Sequence, residues 1–72
     1  MPVLEQYLKM HYRIVLEWDG EAWIAKNPEL RGCIADGETE EKAVASLKIS
    51  RELWIECSLA NGIEVPLPAS AQ

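Results

Sequence analysis

An α+β fold, a three-stranded antiparallel sheet with one long helix on one face, is what three features of the sequence predict. Residues 12–26, YRIVLEWDGEAWIAK, set β-forming residues on both sides of Asp19-Gly20, a pair suited to a tight hairpin turn. From Glu40 to about Asn61 apolar residues recur at helical spacing, and Gly62 is a natural stop. Between these two units, Gly32, the short run Cys33 to Asp36, and Gly37 supply a third strand and the turn into the helix.

Taken in order, Val3, Leu4, Tyr7 and Leu8 recur at helical spacing, with Pro2 suited to a first turn. Residues 1–10 therefore read as a short helix that must lie on something, or as an extension ahead of a start at Met10. A two-residue turn at Asp19-Gly20 sets Trp18 opposite Glu21, Leu16 opposite Trp23, Val15 opposite Ile24 and Ile14 opposite Ala25. Alternation then gives a core face of Tyr12, Ile14, Leu16, Trp18, Trp23 and Ala25, and a second face of Arg13, Val15, Glu17, Ala22, Ile24 and Lys26. This register sets Arg13 against Lys26, an unfavourable pair unless a carboxylate lies nearby or both stems splay into water.

Asn27 to Arg31, with Pro28, forms the connection to the third strand, whose Cys33 and Ala35 are small enough to pass beneath a helix. Thr39 is a good N-cap, and Glu40 and Glu41 suit the positive end of the helix. Its buried stripe reads as Ala43, Leu47, Ser50, Trp54 and Cys57, widened by Val44, Ile49, Leu53 and Ile55. Ile63 to Leu67 form a possible short C-terminal edge strand, limited by Pro66 and Pro68, and residues 69–72 are a polar tail. The whole chain, 1–72, is one domain.

At 72 residues a core contributes little stability, so a homo-oligomer is expected. Two cysteines without a secretory leader or metal-type spacing point to thiols in the cytoplasm, and no apolar run is long enough for a membrane. Twelve acidic residues against seven basic ones, a net charge of −5, disfavour direct nucleic-acid binding and suit a basic protein partner. The same acidity also serves plain solubility.

Little in the sequence points to catalysis. The sole histidine, His11, lies beside the first strand and reads as a surface residue more than as a catalytic base, and neither a phosphate loop nor a Cys/His cluster occurs. Cys33 and Cys57 both read as small buried apolar residues. Glu17, Asp19, Glu21, Asp36 and Glu38 lie at strand ends or turns, where carboxylates could hold a divalent metal for phosphodiester cleavage; each also serves as an ordinary turn or surface residue. The expectation is a protein that is not an enzyme and needs no metal or cofactor.

The chain resembles the HicB-like antitoxins of toxin–antitoxin systems. The likeness covers roughly residues 4–68 and rests on an ordered set: Glu17, Trp23, Pro28, Gly32-Cys33, Gly37, Thr39, Ala43, Leu47, Trp54, Gly62 and Pro66, after an opening LEQYLK. Arg31 and Lys42 depart from that pattern at surface positions. The resemblance implies a partial ribonuclease-H-like fold and neutralisation of a small basic HicA-type RNA-cleaving toxin, by covering it and without chemistry. Many such antitoxins carry a further DNA-binding module; with the sequence ending soon after Pro68, transcriptional autorepression is not expected.

Three functions follow as expectations: an antitoxin that sequesters a basic HicA-type toxin, a self-assembling domain with no toxin and, the weakest, a metal-dependent nuclease. For the first, the partner-binding residues are the exposed acids Glu17, Glu21, Asp36 and Glu38, with Val15 and Ile24 on the mixed sheet face.

Overall fold

A computed structural model of the chain describes residues 4–68, in which α1 (Leu4–Leu8) precedes β1 (Val15–Trp18), β2 (Trp23–Lys26), β3 (Ile34–Gly37) and α2 (Glu40–Ala60). The predicted α+β architecture is present: the strands form one antiparallel sheet in the order β1-β2-β3. The long α2 packs on one face of it, chiefly over β3 and less over β2. Pro2, Val3 and the tail 69–72 lie outside the described residues.

The core is built from Ala25, Cys33, Ala43, Leu47 and Ile55, closed at one end by Tyr7, Tyr12, Leu30 and Val65. Tyr7 docks α1, since its side chain is buried and α1 lies against α2. Residues 4–8 are thus part of the packing. Tyr12 donates its hydroxyl to the Pro66 carbonyl at 2.7 Å, and burial, then the neighbouring Tyr7, push its phenol pKa up. That bond ties down the chain after α2. Residues 63–68 form no strand, correcting the expected edge strand Ile63 to Leu67. Buried Val65 and Pro68 and the tyrosine bond hold this segment instead of a ladder.

The hairpin register differs from the expected one by two residues. Trp18 faces Trp23, Glu17 faces Ile24, Leu16 faces Ala25 and Val15 faces Lys26. The physical reason is Asp19, whose Oδ1 accepts from the N–H groups of Glu21 and Ala22, both at 2.8 Å. Its own N–H donates to the Ala22 carbonyl at 3.1 Å, so the connection spans Asp19 to Ala22 instead of two residues. A slip of two leaves every side chain on its predicted face. It does remove the Arg13–Lys26 confrontation: Lys26 lies diagonally across from Glu17, Nζ to Oε1 3.0 Å. Two core-face assignments also change. Ile14 precedes β1 and is 38% exposed, and Trp18 at the sheet end is 54% exposed against Trp23, ring centroids 5.7 Å apart.

The Asp19 carboxyl is held below its ordinary value of 3.8, first by the Ala22 N–H and then by that of Glu21. A depressed folded-state pKa gives stability that is complete above the unfolded value and is lost as pH falls through the folded one. Asp19→Asn is therefore expected to flatten the decline of the thermal midpoint at acid pH, read as a smaller drop from neutral to strongly acidic buffer than in the unmodified chain.

Between β2 and β3, Asn27 is 1% exposed and organises the turn. Its Nδ2 donates to the Arg13 carbonyl at 2.9 Å, its Oδ1 accepts from the Cys33 thiol at 3.5 Å, and its backbone N–H meets the Cys33 carbonyl. Trp54 adds a clamp from α2, donating Nε1 to the Arg31 carbonyl at 2.9 Å. Asn27→Ala leaves buried polar groups unpaired, a loss of about 1–3 kcal/mol. The expected fall in thermal midpoint is roughly 5–20 °C for a domain of this size. Asn27→Asp is expected to be worse at neutral pH, because a buried carboxylate would face the Arg13 carbonyl.

Helix α2 begins where expected: Thr39 caps it, accepting from the Lys42 N–H at 3.1 Å. It ends in a Schellman motif, with the Ile63 N–H on the Ser58 carbonyl, the Gly62 N–H on the Leu59 carbonyl, and Gly62 at φ +68. The buried side is rotated from the expected stripe. Ala43, Leu47, Ile55 and Ser58 are buried, whereas Ile49 (65%), Leu53 (56%) and Cys57 are exposed. Cys33 is buried as expected, and burial raises its thiol pKa.

Candidate functional site

The sheet face opposite α2 is open. Continuous pairing across the three strands places two cross-strand rows there: Val15–Lys26–Ile34 and Glu17–Ile24–Asp36. Strand alternation is the cause, since the facing residues Ala25 and Ala35 turn inward beneath the helix. The result is a small apolar checkerboard with Ile24 flanked on both neighbouring strands by a carboxylate. Ile34 is 54% exposed, Val15 and Ile24 are half-buried, and Glu17 and Asp36 are exposed.

Four of the six residues predicted to bind a partner, Val15, Glu17, Ile24 and Asp36, therefore share this face. The other two lie at one end of the sheet. Glu21 sits in the β1–β2 turn, and Glu38 follows β3, where the register sets it beside Ala22. Lys26 and Ile34 complete the face. Ile34 was legible in principle, because the alternation that puts Cys33 and Ala35 inward must put residue 34 outward.

The charges on this face are unequal. Glu17 is matched by Lys26, and Glu38 lies 3.8 Å from Lys42 on a solvated corner. Such exposed pairs are worth about 0–1 kcal/mol and exchange readily for another partner. Asp36 has no ion pair among the described residues, so it is the carboxylate most ready to meet an incoming cation. Among the described residues, no three His, Cys, Asp or Glu side chains gather as a metal-binding group, so the strand-end acids are spread out instead of converging. Nor is any described helix long and apolar enough to cross a membrane. What the arrangement offers chemically is an apolar patch with an acidic border, suited to contact with another polypeptide.

Among known proteins, the UPF0150 protein ssl0259 of Synechocystis sp. is 36% identical over 58 residues, covering 79% of this chain and 80% of that protein. TTHA0281 from Thermus thermophilus, seen in a crystal structure, matches with a TM-score of 0.65 and 28% identity, over 94% of this chain and 82% of that one. No family model matches the chain. With more than a third of residues shared over most of both sequences, and the same fold recurring in a solved structure, the chain belongs to the UPF0150 family.

Proposed function

We propose that this chain is a HicB-like antitoxin that neutralises a small basic HicA-type RNA-cleaving toxin by covering it, and performs no chemistry itself. The observation that carries the reading is the open sheet face, where Ile24 lies between Glu17 and Asp36. An apolar centre gives contact area, and flanking acids on a chain of net charge −5 steer a basic partner and favour the right one. The ordered resemblance from Glu17 to Pro66 supplies the identity of that partner.

The test is RNA cleavage by a HicA-type toxin, sought first among the reading frames next to the gene for this chain. Added in excess, the chain is expected to stop cleavage, and Ile24→Arg to lose most of that effect while keeping its fold. Cleavage that continues at saturating chain rejects the antitoxin role. Full inhibition by Ile24→Arg and by Asp36→Lys moves the contact away from this face.

A further inference from the structure

We propose that a second copy of this chain pairs along β3, making a two-fold dimer with one six-stranded sheet and the two α2 helices side by side. This surface borders the open sheet face assigned to the toxin, sharing the β3 edge with it at Ile34 and Asp36 but not its centre at Ile24, and the inference does not rest on that assignment.

Three observations carry it. First, β3 is an edge strand, with β2 on one side and, among the described residues, no strand on the other. The Asn27 N–H bond to the Cys33 carbonyl fixes the phase of the β2–β3 ladder. Alternation along β3 then leaves the N–H and C=O groups of Ile34 and Asp36 pointing outward. An antiparallel copy of the same strand satisfies them by symmetry. A two-fold through Ala35 sets Ile34 opposite Asp36 of the second copy, and keeps the two Asp36 carboxylates from facing each other directly.

Second, α2 is displaced toward the β3 side of the sheet, packing more on β3 than on the central β2. Paired strands stand about 5 Å apart. With each helix displaced slightly toward its own β2, the two axes come close to the 8–10 Å or so at which helices pack. The helix flank that would meet its copy is the exposed line of Leu53 and Cys57, so the residues left out of the monomer core are the ones a dimer would cover.

Third, the groove between β3 and this flank is uncharged. Ile34, Ser50, Leu53, Trp54, Cys57 and Ile63 are among its lining residues, and no acid or base among the described residues lines it. For a chain of net charge −5, that is a surface on which two copies meet without pressing like charges together. A basic partner would gain no electrostatic advantage there and is drawn instead to the acids of the open sheet face.

Sedimentation equilibrium and thiol labelling test the dimer on the full chain. The unmodified protein and Ile24→Arg are expected to have the mass of two chains at micromolar concentration. Leu53→Glu, a change at an exposed position, is expected to have the mass of one, with its circular dichroism unchanged. Cys57 is expected to react more slowly with a thiol reagent in the concentrated protein than after dilution, a comparison that needs no variant. A wild-type mass of one chain overturns the proposal, as does a dimer that survives Leu53→Glu or a dimer lost in Ile24→Arg. A Cys57 rate independent of protein concentration likewise overturns it.

Discussion

Gly37→Ala is expected to lower the thermal midpoint by roughly 10–20 °C, the outcome of about 2–3 kcal/mol of overpacking in a domain this small. Gly37 closes β3 without a positive φ, so its importance is spatial. A Cβ there would run into the backbone of Lys42 and Ala43, the Lys42 carbonyl carbon lying only 2.7 Å away. These are backbone atoms in the first turn of α2 and cannot swing aside. The helix start must lift, which loosens Ala43 and Leu47 from the sheet. Gly20→Ala is the useful contrast, because its Cβ would meet nothing within 4 Å and only the strain of φ +102 remains. That change is expected to cost clearly less, and equal losses at the two positions would contradict the close-approach explanation.

Leu47→Ala is expected to remove about 2–5 kcal/mol, through lost burial and the cavity left behind. Leu47 is fully buried, at the centre of the side of α2 that meets the sheet. Against a total stability of about 5 kcal/mol for so short a chain, a loss at the top of that range leaves about half of the molecules unfolded at room temperature. Urea titration reads this as a midpoint shifted far down, with Ile49→Ala as the reference. Ile49 lies on the same helix and is an equally apolar residue, but it is exposed, so its truncation is expected to stay within about 0.5 kcal/mol. If the two variants unfolded alike, the phase of α2 on the sheet would be wrong.

That phase is only partly legible in the sequence. Apolar residues occur almost all round α2, with Ile49 and Leu53 facing out while Arg51 is half-buried, so periodicity alone does not say which stripe is covered. The ends are legible because they depend on local chemistry: a threonine hydroxyl at the cap and a glycine at the stop. The hairpin shows the same division. Strand alternation assigns Val15, Glu17 and Ile24 to one face correctly, and the β2–β3 register adds Asp36, yet Asp-Gly fits both a two-residue turn and the four-residue turn that Asp19 nucleates. The candidate site survives the difference because a slip of two residues does not exchange faces. The burial of Asn27 has no signal in the sequence. A buried amide is explained by its partners, and the Arg13 carbonyl is distant along the chain.

Helix α2 covers one side of the sheet, and the proposed toxin contact lies on the other. An amide NMR titration of the labelled chain with an inactive form of a HicA-type toxin tests this most directly. Perturbations are expected to concentrate at Val15, Glu17, Ile24, Lys26, Ile34 and Asp36, with the outward side of α2 around Glu52 and Glu56 unmoved. Perturbations confined to α2, with the two rows of the open face silent, would contradict it.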